Sequence, residues 1–276
     1  MKILFLGGDS RFIYACKYLI SKGYKASIIS DFTNKDAKIS EYINLINESG
    51  IIVLPSPLTI DNIHIKGTIA ENTQIKLTEI EKLKDEKYIL SPDNIYGNIK
   101  YTDEDYLYEN AYLTAEGTLG HLLTDYKYKL KDKRITILGY GRISVHLLNL
   151  LNNFTNNITV VLRDKVKTKA LEDRKIKTSN FERLKEVIEN TDILINTVPA
   201  LVVDDKVLSY ADEGIYIIDL ASKPGGIDFD FAKSNNIDCV HLLGIPGKCA
   251  PASDGEKIGE RIYKIIYNLE LKGERI

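Results

Sequence analysis

Ten residues, Ile135 to Ser144, restrict the fold of this chain more than any other stretch. Ile135-Thr136-Ile137-Leu138 is apolar and β-branched and reads as a buried strand. Gly139-Tyr140-Gly141 reads as a tight turn. Arg142 and Ile143 open a helix whose apolar positions continue through Leu147, Leu148, Leu150 and Leu151. A strand, a glycine turn and a helix start in that order aim free backbone N–H groups and the positive end of the helix dipole at an anion. Gly139 permits the turn, and Gly141 permits close approach of a phosphate. A further strand, Ile158 to Leu162, follows at the spacing of one β-α-β unit, the context that a dinucleotide site requires. Gly139, Tyr140, Gly141, Arg142 and Ile143 are therefore the expected coenzyme-binding residues. The third glycine of the fingerprint is replaced by Ser144, which is small enough for close helix–strand packing. The plainer alternative is a glycine-rich turn in some other α/β protein.

The end of the second strand bears on the choice of coenzyme. An NAD site usually places a carboxylate there, about 20 residues after the turn, for the ribose 2′-hydroxyl. This strand instead ends in Arg163, followed by Asp164, Lys165 and Lys167. A planar guanidinium suits a 2′-phosphate, so NADP is expected, while Asp164 keeps NAD open. A solvated basic loop is the competing explanation.

The rest of the chain alternates apolar runs with helical patterns, which predicts an α/β fold of two doubly wound parallel-sheet domains. The first, residues 1–108, is expected to be flavodoxin-like. Its strands are 2–7, Ala26–Ile29, Gly50–Leu54 and Lys87–Leu90, and its helices Arg11–Leu19, Ala37–Ile46 and Thr78–Lys84, with residues 58–75 as loop. From Asp103 to Tyr128 apolar residues recur every three or four positions, so a long helix, assigned to 109–130, is expected to join the domains. Residues 131–253 form the dinucleotide-binding (Rossmann) domain. Its remaining strands lie near Ile176, at Asp192–Asn196, at Ile215–Asp219 and at Cys239–Leu242, with a helix at Phe181–Ile188. The helix from Asp254, within 254–276, is expected to return to the first domain.

Composition excludes several functions. The chain has 276 residues, 44% hydrophobic and 28% charged, with a net charge of −2, which is not the basic footprint of a nucleic-acid binder. It lacks an apolar run of about 20 residues for a membrane span, and Lys2 to Leu6 enter a strand directly with no export signal. Three cysteines and four histidines lack metal-site spacing. A cytoplasmic protein with no resident metal is expected.

Ligands in open α/β sheets sit beyond the carboxyl ends of the strands. In the first domain those ends carry Gly7-Gly8-Asp9-Ser10-Arg11 and Pro55-Ser56-Pro57. The glycine pair and Arg11 could form an anion site, although Asp9 has the chemistry of a helix cap. In the second they carry Thr197-Val198-Pro199, Asp219-Leu220-Ala221-Ser222-Lys223-Pro224-Gly225-Gly226 and Gly244 to Pro251, expected to line the nicotinamide half of the crevice. Thr197, Val198, Pro199, Asp219 and Ala221 join the coenzyme set. Mid-chain, Thr114-Ala115-Glu116-Gly117 sets a carboxylate beside a glycine that costs a helix about 1 kcal/mol.

These motifs resemble those of the dipicolinate synthase A-subunit family of spore-forming bacteria. The resemblance is carried by Gly7-Gly8-Asp9 with Arg11, by Thr114 to Gly117, by Gly139 to Arg142 and by Asn196 to Leu201. It is carried most specifically by Ile218 to Gly226 with Asp228-Phe229, and then by Gly247 and Ala250-Pro251. Ser144 departs from the family's glycine, and Pro55-Ser56-Pro57-Leu58 stands where the family tends to have a Ser-Gly loop. The resemblance implies oxidation of dihydrodipicolinate to dipicolinate with hydride transfer to NADP. It also implies a partner, the flavoprotein-like B subunit, and a role in the mother cell during sporulation. For such a dicarboxylate the expected substrate ligands are Gly8, Asp9, Arg11, Ser56, Ser222, Gly225 and Gly247. Lys223 is the expected catalytic group, on the argument that burial beside a glycine turn tunes an amine, with Glu116 as the alternative base. Homo-oligomerisation is left open. Two other classes compete: another two-domain NAD(P)-dependent dehydrogenase of an amino or 2-hydroxy acid, and a non-catalytic nucleotide-binding regulatory subunit. The former commonly uses a histidine–carboxylate pair, and the sequence pattern places no histidine in a strand-end loop.

Overall fold

A computed structural model describes residues 1–33, 38–68 and 74–272. Ala37, residues 69–73 of the expected loop and the last four residues of the chain lie outside them. The chain divides into two compact units, Met1–Leu107 with Pro246–Ile276, and Tyr108–Ile245.

The first unit alternates β1 (Lys2–Leu6), α1 (Ser10–Ser21), β2 (Lys25–Ile29), α2 (Ile39–Glu48), β3 (Ile51–Val53), α3 (Leu77–Glu81), β4 (Tyr88–Ser91) and β5 (Ile99–Lys100). All pairings are parallel, in the order β2-β1-β3-β4-β5, the 2-1-3-4-5 arrangement of flavodoxin-like sheets. The two-residue β5 is too short to leave a pattern in sequence. β1 and β3 are central and covered on both faces, so they read as unbroken apolar runs with no alternation. Phe5, Phe12, Leu19, Ile51 and Val53 pack on one face of the sheet, and Leu4, Ile29, Tyr42, Ile52 and Ile80 on the other.

The helix expected to join the domains is α4 (Glu104–Thr124), which starts before 109 and stops short of 130. The second unit continues through β6 (Ile135–Leu138), α5 (Arg142–Leu151), β7 (Ile158–Val161), α6 (Lys165–Asp173) and β8 (Lys177–Ser179). A tight helical turn at Phe181–Arg183 leads into α7 (Leu184–Ile188). Then come β9 (Ile193–Asn196), α8 (Asp205–Leu208), β10 (Tyr216–Asp219), α9 (Phe229–Ser234) and β11 (Asp238–His241). Its six parallel strands run β11-β10-β9-β6-β7-β8, the doubly wound order of a dinucleotide-binding sheet. The order reverses at β6, which places the Gly139 turn at the topological switch point.

The chain then returns to the first unit through α10 (Ile245–Cys249) and α11 (Pro251–Leu271). The α11 face of Ile258, Ile262 and Ile266 is buried with Phe12, Ala15 and Leu19 of α1. Among the described residues no helix is long and apolar enough to cross a membrane.

Candidate functional site

The Gly139 turn has the geometry of an anion cradle. Gly139 adopts φ +88°, and its N–H donates to the Val161 carbonyl at 2.8 Å. A Cβ there would lie 2.8 Å from Thr197 Oγ1, so any other residue would meet both strain and a clash. Gly141 is the N-cap of α5, and no side chain caps that helix. A helix start of this kind suits an anion. Ser144 is fully buried, with Oγ 2.9 Å from Thr197 Oγ1. Thr197 gives its single hydroxyl hydrogen to the Leu138 carbonyl at 2.8 Å, so Ser144 is the donor in that pair. The serine therefore packs where glycine was expected, with its polar atom satisfied.

Beside the turn is a hollow of about 240 Å³, lined by Gly139, Tyr140, Arg163, Lys167, Phe181 and Val198 among others. The Arg163 guanidinium stacks 5.1 Å from the Phe181 ring centroid, which holds its plane. Asp164 has another task. Its Oδ1 accepts from Val166 N at 2.9 Å and Lys167 N at 3.1 Å, capping α6. Arg163, Lys167 and Asp164 are thus the charged residues that line the hollow.

The loop after β10 is built around a carboxylate. Asp219 has no exposed surface. Its Oδ1 accepts from Ala221 N at 2.9 Å and from Asn196 Nδ2 at 2.8 Å, and its Oδ2 accepts from Gly226 N at 2.7 Å. Asp219 is therefore not placed as a coenzyme ligand: its oxygens are spent closing the loop. Ala221 and Gly225 are buried within the same clamp. Gly226 is needed for close approach, since a Cβ would meet the Val198 carbonyl at 2.7 Å and the Ala200 carbonyl at 2.8 Å. In this way the Thr197-Val198-Pro199 turn and the Ser-Lys-Pro-Gly-Gly loop form one rigid piece. Ser222 and Lys223 are exposed at its tip. The burial invoked to tune Lys223 is absent, and among the described residues no ion pair engages its ammonium. Glu116 is likewise exposed, on α4.

The first unit gives a larger correction. The N–H groups of Gly7 and Gly8, expected to hold an anion, donate to the Ile29 and Lys66 carbonyls at 2.8 Å each. Asp9 caps α1, and its carboxylate accepts from Arg11 Nε at 2.8 Å, Arg11 Nη2 at 3.0 Å and Lys66 Nζ at 2.7 Å. Arg11 is 3% exposed. Its Nη1 donates to Asp254 Oδ2 at 2.9 Å and its Nη2 also to the Ser56 carbonyl. Four of its five N–H hydrogens are thereby engaged, leaving no fork for a substrate carboxylate. Gly247 packs against Asp9 and Arg11, and its carbonyl accepts from Ser10 Oγ at 3.0 Å. Gly8, Asp9, Arg11, Ser56 and Gly247 are indeed brought together, but as an internal ion-pair cluster that ties three loops to α11. Burial raises the Asp9 carboxyl, yet the Arg11 and Lys66 contacts overcome it and bring its pKa down to about 2. At Asp254 burial prevails over Arg11, and the carboxyl stands above its usual value.

Three contributors escaped the sequence reading. Asn196, at a strand end, had no partner until β9 and β10 paired. Asp254 lies 243 positions from Arg11. His64, within the expected 58–75 loop, forms a β-bridge with Lys76, and its Nδ1 is 2.7 Å from Asp61 Oδ2. Asp61 in turn accepts from the amides of Ile63 and His64. The Asp-x-x-His spacing with Thr59 two residues earlier was the available signal.

Comparison with known proteins agrees with this division of labour. Residues 2–91 match the N-terminal domain of the dipicolinate synthase A subunit. Residues 109–222 match the NAD binding domain of D-isomer specific 2-hydroxyacid dehydrogenases. The dipicolinate synthase A subunit of Bacillus subtilis (strain 168) is 27% identical over 161 residues, which is 58% of this chain and only 54% of that protein. The crystal structure of the same subunit from Bacillus halodurans superposes with a TM-score of 0.82 at 25% identity, covering 96% of this chain and 97% of that one. D-lactate dehydrogenase from Escherichia coli shares the fold, with a TM-score of 0.67 at 16% identity over 99% and 98% of the two chains. In N-terminal domain, in sequence and in fold, this chain is similar to the A subunit of dipicolinate synthase, and its second half is built as a dehydrogenase-type dinucleotide-binding domain.

Proposed function

We propose that this chain oxidises dihydrodipicolinate to pyridine-2,6-dicarboxylate with NADP as the hydride acceptor, as the coenzyme-binding subunit of a dipicolinate synthase. The observation that carries this reading is the joining of a dipicolinate synthase type N-terminal domain to a dehydrogenase-type dinucleotide domain in one chain. The coenzyme, when bound, takes the hydride; the chain must hold it, hold a planar dianion and take a proton. The first-turn amides of α5, with Gly139 and Gly141, suit the pyrophosphate. Arg163 and Lys167, which line the hollow beside the turn, favour a 2′-phosphate, with Asp164 of the same lining engaged through Oδ1 in capping α6. Thr197, Val198 and Pro199 lie on the rigid piece closed by Asp219, which fixes their backbone. Lys223, exposed at the tip of that piece, is the proposed contact to a substrate carboxylate.

Partnership with the flavoprotein-like B subunit, location in the cytoplasm of the mother cell and a homo-oligomeric state belong to the same proposal. The test is to mix the chain, alone and with a B subunit, with dihydrodipicolinate and NADP⁺ and to follow the ultraviolet absorbance of the aromatic product. Product formation that is lost in Lys223→Ala supports the reading. Coenzyme binding without turnover in either mixture would instead support a regulatory nucleotide-binding subunit.

The match of residues 109–222 keeps a second reading, a 2-hydroxyacid dehydrogenase. The His64–Asp61 pair is the observation in its favour. Oxidation of 2-hydroxy acids with no action on the dihydropyridine would establish it.

A further inference from the structure

The foot of the second unit, at the amino edge of its sheet, carries a hollow that the coenzyme reading does not use. It lies where α4 ends, where the chain enters β6 and where α5 has ended, whereas the Gly139 turn is at the carboxyl edge. Its volume is about 550 Å³, within the range of small-molecule sites. Leu122 and Leu130 form a buried floor. Leu123, Tyr128 and Phe154 stand around it 55%, 64% and 37% exposed, a cluster of large apolar groups left facing water. Tyr126 lines it too and is fixed from behind by Tyr216, with ring centroids 5.4 Å apart. Among the described residues, Lys129 and Lys131 supply its only charges, and no carboxylate lines it. The segment 126–134 reads Tyr-Lys-Tyr-Lys-Leu-Lys-Asp-Lys-Arg, five cations against one acid in a chain whose net charge is −2. Lys129 pairs with Asp132, in a solvent-exposed contact that an anion can displace at little cost. Lys133 Nζ covers the Tyr128 ring at 5.0 Å, which restrains that ring and adds positive field.

We propose that this hollow is a binding site for a small planar aromatic carboxylate, whose ring packs against the edge-to-face Tyr126–Tyr128 pair and Phe154 and whose charge is met by Lys129 and Lys131. Aromatic walls select a flat ring over an aliphatic one, and ammonium groups at the rim select an anion. The floor is closed by Leu122 and Leu130, which favours a compact ligand over a strand that must pass through. The inference rests on these lining groups and is independent of the reaction proposed above.

The test is calorimetric titration of the full chain with isophthalate, against cyclohexane-1,3-dicarboxylate as the non-planar control. Saturable binding of isophthalate is expected, with the aliphatic analogue roughly tenfold weaker or worse. Tyr128→Ala and Lys131→Glu, both exposed positions, should each weaken isophthalate about tenfold and leave NADP binding unchanged, while Lys131→Arg should retain it. Equal binding by the variants, equal binding of the aliphatic analogue, or no saturation at millimolar isophthalate would overturn the proposal. Binding of a single-stranded oligonucleotide that is lost in the same variants, with no uptake of isophthalate, would overturn it in favour of a nucleic-acid strand.

Discussion

Replacing Arg11 with methionine separates a structural cation from a substrate ligand. The substitution keeps a flexible side chain of similar reach and removes the charge. Asp254, 2% exposed at its side chain, then loses the cation that compensates its burial, while Asp9 keeps Lys66. Removing one partner of a buried pair costs about 3–5 kcal/mol. Asp9 gives an independent scale: a shift from 3.8 to about 2 corresponds to roughly 2 kcal/mol of stabilisation at neutral pH, shared between Arg11 and Lys66. Asp254 can relieve part of the strain by taking a proton, so about 3 kcal/mol is expected, on the order of 10 °C in melting temperature. The pH dependence has a definite sign. The stabilisation from Asp9 is complete above pH 3.8 and is lost as pH falls toward 2. The raised Asp254 carboxyl does the opposite: it costs stability once pH rises above 3.8, and more so in the variant, where Arg11 no longer holds it down. The deficit of Arg11→Met should therefore be larger at pH 7 than at pH 4, and Asp254→Asn added to it should recover part. Thermal melts monitored by circular dichroism at the two pH values read both effects. An unchanged melting temperature at pH 7, with a raised KM for a dicarboxylate, would refute the structural role and return Arg11 to the substrate site.

Three further outcomes follow from the second unit. Gly226→Ala drives a methyl group into the Val198 and Ala200 carbonyls and should destabilise by about 2 kcal/mol, read in urea unfolding. Ser144→Ala removes the donor to Thr197 Oγ1 and should cost about 1 kcal/mol in the same assay, because the threonine loses one buried partner and keeps the other. Arg163→Ala should weaken NADP about tenfold by calorimetry and leave NAD unaltered, since only the 2′-phosphate needs the guanidinium.

The architecture was legible because parallel strands covered on both faces advertise themselves as apolar runs. β1, β3, β6, β7, β9 and β10 all do so, and the fold class follows from their alternation with helices. The helices α6, α8 and α9 were missed for a common reason. Each is short and buries few side chains, Leu171 alone in α6, so no periodicity develops. Each is nevertheless announced by an aspartate N-cap, at Asp164, Asp204 and Asp228. Asp164 drew notice only as the residue that keeps NAD open, which obscured its cap. α10 was hidden by its Pro246 and Gly247, which look like a turn.

The candidate site was legible as a set of positions and less so as a set of roles. The glycine turn at Gly139 is legible as a turn because local backbone geometry needs those residues. Charged groups at strand ends are ambiguous, because a carboxylate or guanidinium there can face a ligand or a partner far away in sequence. Arg11 could be assigned to Asp9 and Asp254 only once α11 was packed on α1. Asp219 could be recognised as the centre of a loop only once Asn196 lay on the neighbouring strand. Lys223 presents the converse case, a lysine between serine and proline whose exposure no local pattern reveals.

Coenzyme binding by the second unit is the central claim, and titration calorimetry of the intact chain with NADP and with NAD tests it most directly. Saturable uptake of one dinucleotide per chain is predicted, with NADP bound about tenfold more tightly than NAD. Uptake of neither, or a preference for NAD, would contradict it.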